Sequence, residues 1–141
     1  KKFIMRRYDG KVSLLPEEVS EPSLEASLCW DINKELKLRT GVLKVSKLKG
    51  KGLSASFVNS KLEVRAREGG EKFCPVGKDQ TKSLKKLYQE NKIPPWTRDR
   101  IPLIYIEDRL AAVPGLWISK EFSASKGEEG INFMWEDKLG I

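Results

Sequence analysis

Apolar and polar positions alternate with a period of two along most of this chain, and one short stretch switches to the period of a helix. In residues 62–67, Leu62, Val64 and Ala66 alternate with Glu63, Arg65 and Arg67. That is a strand with one apolar face, and it sends Arg65 and Arg67 to solvent together. Residues 42–48 alternate in the same way and suit a strand wet on one side. Residues 3–8 and 11–15 flank Asp9-Gly10, a turn pair that accepts positive φ, so they form a hairpin. Residues 103–106 and 110–113 form another around Glu107-Asp108. Short strands at 28–32 and 36–38 are joined at Asn33-Lys34, with a turn at Thr40-Gly41. Pro114-Gly115 turns the chain before residues 116–118, and residues 131–135 form a last strand. Residues 54–58 fit neither period. The remaining segments, 16–24, 72–81 and 123–130, read as loops, Gly50-Lys51-Gly52 as a mobile one, and residues 138–141 as a fraying end.

The helical stretch covers about residues 82–91. Leu84, Leu87 and Tyr88 share one side, while Lys82, Lys86 and Gln89 lie opposite and Lys85 lies on the flank. Asp79 or Thr81 is the candidate cap. The helix stops near Asn91, because Pro94-Pro95 cannot continue it. Trp96 follows beside Arg98 and Arg100. Asp99 is expected to pair with one of these arginines and hold the Pro-Trp turn, leaving the other available. Trp96 and Trp117 read as core residues, and full burial would make truncation of Trp96 cost roughly 3–5 kcal/mol. The tally of many short strands and one good helix predicts an α+β domain. It is mostly antiparallel, layered and sandwich-like, with one principal amphipathic helix. It is read as one unit over 1–141, with a β-rich part at 1–60 and a core at 61–137.

The net charge of +7 is spread unevenly. No acid stands between Leu36 and Leu62, where Lys37, Arg39, Lys44, Lys47, Lys49, Lys51 and Lys61 do; from Ile101 onward acids outnumber bases. A cation excess in the middle of the chain suggests a polyanionic partner. The competing reading is a solvated surface that keeps the protein in solution. Two patches are candidates for phosphate contact. One gathers Arg65, Arg67, Lys78, Lys82, Lys85 and Lys86 with Arg98 and Arg100; the other joins Arg6-Arg7 to the lysines of 44–51.

Other chemistry finds no support. The chain has no histidine, which removes Ser-His-Asp and Cys-His schemes and any His-ligated metal. Cys29 and Cys74 stand far apart without a CxxC, and free thiols fit better than a zinc site or a disulfide. Gly77-Lys78 is followed by Asp79, and residue 72 is lysine, so the phosphate-loop spacing fails. The acid pairs Glu17-Glu18, Glu107-Asp108 and Glu128-Glu129 lie in turns or loops with no nucleophile beside them. No apolar run approaches the roughly 20 residues of a membrane span, and no signal peptide is visible. The absence of an initial methionine fits a piece of a longer protein.

Several motifs stand in a telling order. They are Val64-Arg65-x-Arg67-x-Gly69-Gly70-Glu71, Ser83-Leu84-Lys85-Lys86-Leu87, Ile93-Pro94-Pro95-Trp96-x-Arg98-Asp99-Arg100-x-Pro102-Leu103 and Val113-Pro114-Gly115-Leu116-Trp117-Ile118. Together they resemble the C-terminal domain of bacterial tRNA(Ile)-lysidine synthetases over about half the chain. The lysine-rich segment 36–59 is longer than the family pattern. The resemblance implies a parent that uses ATP and lysine to convert a wobble cytidine of tRNA(Ile) to lysidine. Its ATP and Mg would sit in an N-terminal PP-loop domain, whose Ser-Gly-Gly-x-Asp-Ser motif is absent here. The resemblance implies a non-catalytic, cofactor-free appendage that grips the tRNA body toward the acceptor stem. It further implies a cytoplasmic location, with tRNA(Ile) and the catalytic domain as partners, and leaves a homodimer of the parent open.

Overall fold

The computed structural model describes residues 2–17 and 22–140. Part of the 16–24 loop, including Glu18 of the first acid pair, lies outside the described residues.

Asp9 and Gly10 both take positive φ, 53° and 74°, and close a two-residue turn between β1 (Phe3–Tyr8) and β2 (Lys11–Pro16). The register runs from Tyr8↔Lys11 to Phe3↔Pro16. Leu15 is buried on the body, while Phe3, Met5, Val12 and Leu14 stay exposed. Then come β3 (Leu28–Trp30), β4 (Leu36–Leu38), β5 (Gly41–Lys49) and β6 (Leu53–Ser54). A 3-10 turn at Ala55–Phe57 resolves the segment that fitted neither period, and β7 is Leu62–Arg65. After β8 (Lys72–Phe73) and β9 (Lys82–Ser83) the chain enters α1 (Leu84–Glu90) and α2 (Pro95–Arg98). The closing strands are β10 (Leu103–Ile106), β11 (Arg109–Val113), β12 (Trp117–Ile118) and β13 (Glu129–Asp137).

Two antiparallel sheets result, ordered β12-β11-β10-β7-β3 and β4-β5-β13-β6. Their facing sides share one core containing Trp30, Leu43, Leu53, Leu62, Val64, Ile104, Ile106 and Phe133. The other side of the first sheet is covered by α1. Leu84, Leu87 and Tyr88 meet Leu103, Leu110 and Val113 there, with Phe73 of β8. Alternation along β10 therefore serves two cores at once: Ile104 and Ile106 face the second sheet, Leu103 and Tyr105 the helix. Between β10 and β11 the register slips by one residue. This bulge lets Ala111 and Ala112, consecutive in sequence, both join the inter-sheet core. The layered α+β architecture expected from the periodicities is present.

Several local expectations change. β3 and β4 do not pair; β3 lies beside β7 and β4 beside β5, so the Asn33-Lys34 connection crosses between sheets. The helix begins later than expected. Lys82 and Ser83 are extended and pair with Lys72 and Phe73, so residues 72–81 are not wholly loop. Ser83, rather than Asp79 or Thr81, is the cap, its Oγ accepting from the Lys86 amide at 3.2 Å. Pro95 ends nothing; it starts α2, where a missing N–H costs no hydrogen bond. The Gly50–Gly52 turn is held on both sides: Gly50 N–H donates to Glu128 O, and Gly52 O accepts from Ala124 N–H. Gly130 must be glycine, since a Cβ would stand 1.8 Å from Lys51 O.

Arg100 locks the end of the molecule. Its Nε and Nη2 donate to the two oxygens of Asp137 at 2.8 and 3.0 Å, and both side chains are 2% exposed. Thr40 answers by donating its hydroxyl to Arg100 O at 2.8 Å. Asp137→Asn leaves that guanidinium buried and uncompensated. A loss of roughly 3–5 kcal/mol is expected in chemical denaturation; a loss under about 1 kcal/mol would match only a solvated pair.

Tyr88 is fully buried, and its hydroxyl has no hydrogen-bond partner among the described residues. Burial, opposed in part by Arg67, pushes the phenol well above its ordinary value. The folded state therefore favours the protonated phenol. That contribution is intact below about pH 10 and is lost as pH rises toward the folded-state value. Tyr88→Phe should leave stability at neutral pH unchanged or raise it by up to about 1 kcal/mol, and should blunt the alkaline loss. Thermal melts at neutral and alkaline pH check both.

Candidate nucleic-acid interface

The sequence-predicted cations divide into three groups by what surrounds them. Arg65 and Arg67 do not point to solvent. Their side of the first sheet is the side covered by α1, because apolar positions of β10 and β11 require a helix there. Arg65 stacks 4.2 Å from the Tyr105 ring centroid. It donates to Glu63 at 2.8 Å and also binds Asp108. Those hydrogen bonds, Glu63 first, raise the Arg65 pKa further, and the Arg65 hydrogen bond holds Glu63 below the usual carboxylate range. Arg67 is bound to Asp99 at 3.2 Å and lies 5.6 Å from the Tyr88 ring centroid. Asp99 thus serves Arg67, and neither arginine that flanks it in sequence.

Arg98 and Arg100 are buried, and neither is available to a phosphate. Arg100 is spent on Asp137. Arg98 donates Nε to Ile93 O at 2.7 Å and Nη2 to the Tyr8 hydroxyl at 3.2 Å, between the rings of Tyr8 and Tyr88. The expectation of one free arginine in this pair is corrected: both are needed inside, where backbone carbonyls and a carboxylate would otherwise lack donors.

The lysines behave differently. Lys85 and Lys86 are exposed on the outer turn of α1, and no acid binds either. Lys82 is partly buried and held by Glu90 at 3.4 Å. Strand pairing sets Lys72 opposite Ser83, the residue that caps α1, so Lys72, exposed and unpaired, joins this group. Sequence reading missed it, since a two-residue strand leaves no periodic signal. Lys78 is exposed on a loop anchored by the Val76 amide to Ile118 O. The second patch is largely neutralised. β5 pairs along its length with the acidic β13, bringing Lys44 to Glu136 at 3.1 Å and Lys47 to Glu129 at 3.7 Å. Arg6 and Arg7 remain exposed on the hairpin with no acid partner.

The largest cleft, about 760 Å³, is lined by Lys72, Phe73, Cys74, Tyr105, Arg109 and Lys120, among others. Its other cations are answered by Glu107, Glu121 and Asp79. Cys29 and Cys74 carry free thiols. No arrangement of nucleophile, base and orienting group appears among the described residues. No described helix is long and apolar enough to cross a membrane.

Trp96 departs from its core assignment. It is half-buried, set edge-to-face with Tyr8 at 6.3 Å, and borders three cavities. Trp117 is also only partly buried, but it packs on the helix-side core, 5.7 Å from Tyr88. Trp96→Ala is accordingly expected to cost about 1–2 kcal/mol, roughly half or less of a buried tryptophan's cost. A melt showing a loss of 3 kcal/mol or more would restore the core reading.

Three comparisons bear on this geometry. Residues 62–135, from β7 into β13, match the family described as the TilS substrate C-terminal domain. A tRNA(Ile)-lysidine synthase of Coxiella burnetii is 43% identical over 127 residues, covering 89% of this chain and 28% of that protein. One of Nitrosomonas europaea is 33% identical over 134 residues, covering 93% of this chain and 29% of that protein. The chain thus spans under a third of the length of these relatives. A crystal structure of a TilS C-terminal domain superposes with a TM-score of 0.60 at 26% identity, covering 80% of this chain and 98% of the other. The matched segment contains both cores' central strands and the lysine-bearing helix, and on that ground the chain belongs to the TilS substrate C-terminal domain family.

Proposed function

We propose that this chain is the tRNA-gripping part of a tRNA(Ile)-lysidine synthetase. It holds tRNA(Ile) by its backbone, in the cytoplasm, while a separate catalytic domain of the same protein uses ATP and lysine to modify the wobble cytidine. The chain itself is non-catalytic in this reading. The observation that carries it is the group of unpaired lysines, Lys72, Lys85 and Lys86, presented together at the start of α1 inside the family-matched segment. Lysines of this kind suit duplex RNA, which is read mainly through phosphates and shape, because its deep major groove excludes side chains. The names of the relatives support the choice of tRNA.

A second reading, a domain- or subunit-interaction module, is favoured by one feature. Phe3, Met5, Val12 and Leu14 form an apolar outer face on the first hairpin.

Charge reversal separates the two. Lys85→Glu with Lys86→Glu should weaken tRNA binding and flatten the slope of log K against log[salt] by nearly one unit per lost contact. The melting curve should not move, since both side chains are exposed. A salt titration by fluorescence anisotropy reads this. Unchanged affinity would remove α1 as the RNA surface, and failure of the unaltered chain to bind tRNA at low salt would favour the interaction module.

A further inference from the structure

Where the hairpin meets α2, a shallow cavity of about 280 Å³ is lined by Arg6, Arg7, Pro95, Trp96 and Asp99. We propose that it takes a single unpaired nucleotide of an RNA, the base against the Trp96 indole and the flanking phosphate on Arg6 and Arg7. This rests on the RNA-binding reading above and adds to it a site for a nucleotide outside any duplex.

Four observations converge. First, Trp96 stays half-exposed although tryptophan gains more than most residues from burial. It is not loose: Tyr8 meets it at an interplanar angle of 83°, and Tyr8 is itself fixed by the Arg98 hydrogen bond. A rigid, perpendicular, accessible ring suits stacking, which is tolerant of base identity. Second, Arg6 and Arg7 have no acid partner among the described residues, whereas Arg65, Arg67, Arg100 and Arg109 are each bound to at least one. Arginine's planar fork matches phosphate oxygens. Third, the one acid in the cavity wall, Asp99, is already engaged by Arg67 at 3.2 Å, so it does not cancel the hairpin's charge. Fourth, the volume lies near the lower end of the roughly 300–1,000 Å³ range of small-ligand clefts. It admits a base and not a helix. The hairpin is anchored to this corner again by Lys92 and Asp9 at 3.4 Å, which holds the arginines beside the ring.

The test uses this chain with two probes, a labelled cytidine hexanucleotide and a blunt RNA duplex. Trp96→Ala should weaken the hexanucleotide roughly 5- to 100-fold, the range of one base–aromatic stack, and leave the duplex unchanged. Trp96→Phe should keep most of the affinity, because an aromatic face survives. Arg6→Ala with Arg7→Ala should weaken the hexanucleotide and flatten its salt slope by up to about two units. Both arginines are exposed, so this double variant carries the test if Trp96→Ala loses its fold. Hexanucleotide binding that none of these changes alters, with tRNA binding intact, overturns the pocket alone. A chain that binds no RNA overturns the pocket and the proposed function together. Tighter binding of an acidic peptide than of the hexanucleotide, sensitive to the same substitutions, overturns the choice of nucleotide.

Discussion

A buried arginine must find a carboxylate, and here that requirement ties the ends of the fold together. Arg100 follows α2, Asp137 ends β13, and Thr40 sits in the turn between β4 and β5. The three are far apart in sequence and are joined by a two-pronged ion pair plus hydrogen bonds in both directions. Such a pair is weak support for net stability, because two charges have been taken out of water. Breaking it is another matter, since the survivor stays buried. The contact therefore works as a register pin: the helical corner can dock on the second sheet in one position only. Asp137 also accepts from the Leu139 amide at 2.7 Å, so the chain end is held by the same carboxylate.

That constraint settles which charges face solvent. The corner around Tyr88 consumes Arg67 and Arg98, which lie near its ring, and Arg100 is consumed beneath it. None of the three can serve a ligand without unmaking the fold. What is left outside is a set of lysines on α1 and β8 and two arginines on the hairpin. Lysine suits the outside because its ammonium is strongly hydrated and its stem flexible, whereas arginine tolerates burial through its delocalised charge and five donors. The division of labour between the two cations thus follows their hydration.

The pairing of β5 with β13 has an electrostatic effect as well as a packing one. Read linearly, the chain has a basic middle and an acidic end. In space these segments are neighbours over nine residue pairs, and part of the excess cancels. The surface field is left to α1, β8 and the hairpin, on the far side of the first sheet or at its margin. Phosphate contacts are concentrated there by subtraction as much as by placement.

The sequence by itself determined the local elements and the kind of architecture. Period-two alternation gave the strands of both sheets, positive-φ turn pairs gave two hairpins, and Leu84, Leu87 and Tyr88 gave the helix face; each depends on neighbours a few residues away. Its motifs also pointed to the family. The tertiary structure decided what no local rule reaches. It sent β3 and β4 to different sheets, placed Arg65 and Arg67 under a helix, and buried Arg98 and Arg100. It also left Trp96 at a cavity rim and added Lys72 to the exposed lysines. Burial and ion pairing are properties of which distant segments meet. Arg100 and Arg7 look alike in a sequence, and only the presence of Asp137 beside one of them makes the first structural and leaves the second free.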